Sequence, residues 1–300
     1  MTASLPLHDE SDHRPGSPLS GGVHLDSTAQ IMNRITTRLA SRLSLVSRDG
    51  TPRPERPALV LVAHGSRDPR TLATVHTLIE RVRELRPGLP VHLGHIELNE
   101  PLLPDTLAAL GDSEAILVPL LLSRGYHIKQ DIPDMAAAAR ARTQVAAPLG
   151  PHPLLVETLY TRLVEAGWPT TMTEAERRES AVVLAAAGSR DPDAALDTGH
   201  TARLLADRLG VPVLPAYASA ATPTVPEAVR TLTSRGRTRM ALASYFTAPG
   251  RFAQECADAV PGITAAPLGA HPLMAHLILH RYDKALVTPA ATEPALASAG

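Results

Sequence analysis

Ala58-Leu-Val-Leu-Val-Ala-His-Gly-Ser-Arg-Asp-Pro69 is a short apolar run that breaks at a glycine turn. The chain writes the same arrangement again as Ala181-Val-Val-Leu-Ala-Ala-Ala-Gly-Ser-Arg-Asp-Pro192. A short apolar run bounded by a glycine turn reads as a buried strand. Working outward, Ala147-Pro-Leu-Gly-Pro-His-Pro-Leu154 returns as Ala266-Pro-Leu-Gly-Ala-His-Pro-Leu273. Pro90-Val91 pairs with Pro212-Val213, and Pro101 with Pro223. Separated matches in one order mark a duplication, with a period far too long for a solenoid.

Between the anchors of the first copy, strand and helix patterns alternate. Residues 70–86 have helical spacing and stop at Pro87-Gly88. Pro90–Leu98 reads as a strand, and Pro101 opens a helix to Leu110. Glu114–Leu122 reads as a strand and 128–142 as a helix. A strand follows at 144–147, then a helix from His152 to Ala166. Such alternation implies right-handed βαβ units. The expected class is therefore α/β, two tandem homologous parallel-sheet domains with helices on both faces. The expected division is a flexible tail over 1–54, a first lobe over 55–168 and a linker over 169–179. A second lobe then covers 180–287 and a C-terminal tail 288–300. Within the first tail, Ile31–Val46 sets Arg34, Arg38 and Arg42 at four-residue spacing, a pattern that fits one short amphipathic helix.

Composition narrows the function. Hydrophobic residues make up 44%, enough for a sizeable core. The formal net charge of -1 gives no reason to expect nucleic acid as a partner. Cys256 is the only cysteine, which rules out an internal disulfide and any multi-cysteine metal site. A lone thiol fits a reducing cytoplasm. No apolar run reaches the roughly 18 residues of a membrane span, so no membrane association is expected. Asp9, Glu10 and Asp12 occupy the N-terminus in place of an apolar core, so it does not read as a secretory signal.

Ligands of open parallel sheets bind beyond the carboxyl ends of the strands. The first strand ends at His64, the second reaches Glu97, and the third leads into Gly125-Tyr-His127. His95 and Glu97 would share a strand face by period two. Two imidazoles and a carboxylate at one rim suit a first-row divalent ion. His92, on the opposite face, reads as structural. His152 and His271 precede a helix in both copies and read as helix-start contacts. Cys256 reads as a small core residue.

Three motifs stand in order: Ala63-His-Gly-Ser-Arg-Asp-Pro69; Ile96-Glu97 followed by Pro101; and Val118-Pro119 through Gly125-Tyr-His127 and Asp131-Ile-Pro133. Together with the duplication, the chain after residue 55 resembles the sirohydrochlorin chelatase family of the CbiX/SirB type. The resemblance implies a two-lobed fold with a tetrapyrrole in the cleft, and a divalent metal, Fe²⁺ or Co²⁺, as the second substrate. No further cofactor is implied. The family's metal-handling His, Glu and His fall on His64, Glu97 and His127, with Glu100 the alternative carboxylate. Arg67, Arg70, Arg124 and Lys129 are candidates to grip the carboxylates of such a ligand, and Ser66 to approach it closely.

In the second copy Ala187, Ser219 and Phe252 stand where the first has His64, Glu97 and His127. One active site per chain is expected, and the duplication lets a monomer imitate a symmetric pair. Two other readings compete: a non-catalytic tetrapyrrole or metal carrier of the same fold, and a hydrolase or phosphoryl-transfer enzyme using His64. No G-x-S-x-G, P-loop or H-E-x-x-H motif supports the last.

Overall fold

A computed structural model describes residues 56–288. The expected N-terminal tail, the Ile31–Val46 helix and nearly all of the C-terminal tail lie outside these residues. The first half runs β1 (Ala58–Ala63), α1 (Pro69–Leu85), β2 (Val91–His95), α2 (Leu103–Ala109) and β3 (Glu114–Pro119). A π-helical turn (His127–Asp131) leads into α3 (Ile132–Ala137), β4 (Arg142–Val145) and α4 (Pro153–Glu165). The expected polar linker holds a short helix, α5 (Glu174–Glu179), begun by a Thr173/Glu176 capping box. The second half is β5 (Ser180–Ala186), α6 (Pro192–Leu209), β6 (Val213–Tyr217), α7 (Val225–Ser234), β7 (Arg239–Tyr245), α8 (Arg251–Asp258), β8 (Ile263–Thr264) and α9 (Pro272–Val287).

All pairings within both sheets are parallel, in the orders β2-β1-β3-β4 and β6-β5-β7-β8. β1 and β5 are buried along their whole length, as central strands covered on both faces must be. Their alternate residues enter different cores. Val60 and Val62 pack with Leu103, Leu107 and Ile132 in a cluster belonging to the first lobe. Val183 and Ala185 pack with Val225, Leu232 and Cys256 in a cluster belonging to the second. Leu59 and Leu61, with Val182 and Leu184, enter one large cluster shared by both lobes.

That shared core arises from an exchange of helices. α4 follows the first sheet in sequence but packs chiefly on β7 and α6 of the second; α9 follows the second but packs chiefly on β3 and α1 of the first. The contacts are reciprocal. Arg162 of α4 donates to the carbonyl of Leu268 at 3.0 Å, and Arg281 of α9 donates to the carbonyl of Leu149 at 2.9 Å. Tyr282, fully buried, donates from its hydroxyl to Pro57 at the head of β1. Arg86 and Asp283 pair beside it.

Several local expectations shift. The second strand stops at His95 instead of reaching Leu98, because Leu98 adopts a left-handed φ of 66° and turns the chain. The next helix begins at Leu103 with Pro104 in its first turn, so Pro101 lies before it. The third strand ends at Pro119, and the helix expected over 128–142 is a π-turn followed by a short α-helix. His152 and His271 cap their helices, each ring Nδ1 accepting from the backbone two residues on, at 3.1 and 3.2 Å. Cys256 is buried, and burial pushes its thiol up to about 11, so it is an inert core group.

Burial, aided by Arg281, His280 and Lys284, lowers the His152 imidazole from 6.5 to about 4. Between those values the unfolded chain binds a proton there that the folded chain does not. Stability should therefore fall as pH is lowered through that window and be retained above it. His152→Asn keeps a capping side chain and removes the titration. Melting temperatures at pH about 7 and about 4.5 should differ less for the variant than for the natural protein. Equal differences would show that His152 does not carry this dependence.

Candidate active site

The site forms where β1 and β3 end, opposite the ends of β5 and β7. His64 directly follows β1, and the turn after it depends on Gly65, which has φ +103°. A Cβ at Gly65 would sit 1.9 Å from the carbonyl oxygen of Glu97, so only glycine lets the two segments pass. The backbone ladder continues past β2, with Glu97 N donating to His64 O at 3.0 Å. That bond, rather than a shared strand face, brings the Glu97 carboxylate to 3.5 Å from His64 Nδ1. Asn99, which sequence reasoning missed, accepts from Ser66 N at 2.6 Å and fixes the turn from the other side.

His127 opens the π-turn. Its ring stands edge-on to that of His64, with centroids 4.7 Å apart and planes at 88°. Its Nδ1 lies 2.6 Å from Asp131 Oδ2. Both imidazoles are partly exposed and line a cleft of about 930 Å³. Glu97 is not among the residues lining that cleft and meets it through His64. Among the described residues no three His, Cys, Asp or Glu side chains converge closely enough to enclose an ion. His95 is separate from this group. It is buried, with Nδ1 3.1 Å from the Pro101 carbonyl, and serves packing. Burial lowers its pKa.

The four expected ligand-gripping cations divide. Arg70 is held by Asp68 at 2.7 Å. Asp197 of α6, almost fully buried, accepts from the Arg124 backbone N at 2.8 Å and from its Nη2 at 2.7 Å. Lys129 lies outside the cleft lining and meets Asp191 and Asp193 at 2.7 and 2.9 Å. These carboxylates hold both cations well charged, raising their pKa values. Arg124 and Lys129 thus tie the segment carrying His127 to the second lobe. Arg67 is exposed, lines the cleft, and has no carboxylate partner among the described residues. Ser66 also lines it, its hydroxyl taking the Asp68 N–H at 3.0 Å.

The opposite wall is mostly apolar, with Ser189, Thr198, Ser219, Thr247 and Arg251 as its polar members. Ser219 N donates to Ala187 O at 3.0 Å, the counterpart of the Glu97–His64 bond, so Ala187 and Ser219 occupy the equivalent places. Phe252, the second residue after Gly250 as His127 is after Gly125, lines the same cleft. Tyr245 is buried and donates to the Leu122 carbonyl at 3.0 Å, joining the two walls. Tyr126 and Leu98, also unanticipated, are large, exposed and line the cleft.

Two exchanged α/β lobes enclose a cleft with paired imidazoles on one wall and a mostly apolar second wall. The CbiX family profile matches residues 58–166 and 181–285, and the chain belongs to this family. Among its relatives, the sirohydrochlorin ferrochelatase of Bacillus subtilis is 26% identical over 242 residues, 75% of this chain and 90% of the relative. The sirohydrochlorin cobaltochelatase of Methanococcus aeolicus is 40% identical over 81 residues, 26% of this chain and 57% of the relative, so the match spans little more than half of that protein. The solved structure of SirB from Bacillus subtilis with Fe³⁺ has a TM-score of 0.64 at 24% identity, covering 78% of this chain and 96% of that one. This likeness shows the fold.

Proposed function

We propose that this chain is a chelatase that inserts Fe²⁺ or Co²⁺ into sirohydrochlorin, serving sirohaem or cobalamin synthesis. The observation that carries the reading is the edge-on pair His64 and His127 on the wall of the interlobe cleft. The cleft volume of about 930 Å³ suits a large planar ligand. Among the described residues no helix is long and apolar enough to cross a membrane. The single, buried cysteine agrees with a reducing, cytoplasmic setting.

Insertion must strip water from the ion, hold it against the macrocycle and remove two pyrrole protons. Each neutral imidazole can ligate the ion or accept a proton. Glu97, beside His64, compensates charge and offers a second acceptor. The metal is a substrate and has to leave, so an open group of donors serves better than a closed four-ligand cage. Arg67 and Ser66 face ligand carboxylates, and Leu120, Leu122 and Phe252 supply apolar contact for the ring. Arg124 and Lys129 act in this reading by holding the His127 segment.

The assay mixes apo-sirohydrochlorin with Fe²⁺ or Co²⁺ and follows the absorbance change with and without protein. Faster insertion with protein is expected, and comparing initial rates for the two ions identifies the preferred metal. Binding of the tetrapyrrole without any acceleration would establish the carrier reading instead.

Arg124→Ala separates a clamp from a substrate contact. As a clamp, its loss leaves Asp197 buried with only a backbone donor, and the melting temperature should fall by several degrees. An unchanged melting curve with a raised KM for the tetrapyrrole would show that Arg124 grips the ligand.

A further inference from the structure

We infer that Asp131 is a positioning residue for metal handling, holding His127 so that its Nε2 is the ring nitrogen presented to the ion. The inference rests on His127 meeting metal, as proposed above. Asp131 Oδ2 lies 2.6 Å from His127 Nδ1, which marks a charge-assisted contact and not a chance approach. With Nδ1 facing a carboxylate, the neutral ring carries its proton there and keeps Nε2 free. Carboxylates orient metal-binding imidazoles in this way and raise their basicity.

Three observations set this pair apart from an ordinary helix contact. Asp131 lies inside a continuous helical run, with φ -59° and ψ -49°, and among the described residues its carboxylate has one hydrogen-bond partner, the imidazole. Second, the two residues are the ends of the π-turn, closed by Ile132 N donating to His127 O. Such widened turns concentrate at functional sites. Third, the duplicated half is an internal control. There the corresponding segment is the regular helix α8, with Phe252 in the place of His127. Because the π-turn adds one residue, core-facing Ile132 corresponds to Cys256 and Asp131 to Glu255, whose carboxylate meets Arg251 of its own helix at 3.3 Å. Where the imidazole is replaced by Phe252, the widened turn is absent and the carboxylate pairs with a cation instead. His64 differs again, since its Nδ1 faces Glu97 only at 3.5 Å. The two histidines are thus held unequally, and His127 is the one with a fixed orientation.

The test uses the full chain with Co²⁺ as probe. Apo-protein is titrated with Co²⁺ and followed by ligand-field absorption, for the natural protein, Asp131→Ala, Asp131→Asn, Asp131→Glu and His127→Ala. Melting curves check that each variant is folded. Asp131→Ala should weaken Co²⁺ binding about 10–100-fold and raise the KM for metal while leaving that for the tetrapyrrole unchanged. Asp131→Asn retains an acceptor oxygen and should recover part of the loss. A role confined to folding would shift both KM values or neither, and would show no such recovery. Natural Co²⁺ affinity in Asp131→Ala, with affinity lost in His127→Ala, overturns the inference and leaves the chelatase reading standing. Unaltered Co²⁺ binding in His127→Ala overturns the reading of His127 itself, and the inference with it.

Discussion

His127→Ala is expected to lower the rate of metal insertion by on the order of 10²–10⁴-fold, the range lost when a positioned proton acceptor is removed, while the protein stays folded. His64→Ala should behave similarly. Both side chains are partly exposed on a cleft wall, so truncation empties no core. The rings stand 4.7 Å apart, close enough to act on one ion or on one ion and one pyrrole proton. Removing either leaves a single imidazole with Glu97. Steady-state insertion rates with Fe²⁺ and Co²⁺, alongside melting curves, measure the effect. A near-natural rate in either variant would remove that histidine from the mechanism. A collapse of the melting curve would instead assign it to the fold.

Much of this site could be read in the sequence, because its anchors are local. A strand ending in His-Gly needs only its own residues to be recognised, and the same turn in the second copy showed which groups had been replaced. Longer-range features were illegible for physical reasons. Period-two alternation placed His95 and Glu97 on one face, but the strand stops at His95 and the backbone bond from Glu97 to His64 sets the carboxylate. The extra residue of a π-turn leaves no mark on a helical pattern, so the stretch 128–142 reads as one plain helix. Arg124 and Lys129 look like free cations beside a site until three aspartates of the other lobe are seen to hold them. An amphipathic helix carries the same stripe whichever sheet it covers, so the exchange of α4 and α9 was invisible as well.

That exchange makes the second large prediction. Residues 1–168 expressed alone should not form a stable monomer. The fragment keeps β1 and β3 but loses α9, whose Leu277, Ile278 and Tyr282 are fully buried in the shared core. It keeps α4 but loses β7 and α6, on which that helix packs. Each buried side chain of this size contributes roughly 1.5–3 kcal/mol, and whole domains are stable by only about 5–15 kcal/mol. Losing both packing partners should exceed that margin. The repeat offers one escape. α4 and α9 make equivalent contacts, Arg162 to Leu268 and Arg281 to Leu149. In a symmetric pair of fragments, α4 of each copy could cover the sheet of the other, as α9 does in the whole chain. Sedimentation should therefore find a dimer or aggregate and no folded monomer. Such a dimer would face two copies of the His64 and His127 wall across the cleft, with Phe252 and Ala187 gone. Its insertion rate would report what the second wall contributes. A monomeric fragment with full activity would show that the second lobe forms no part of the site. A fully active second half, which has neither His64 nor His127, would overturn the assignment of both.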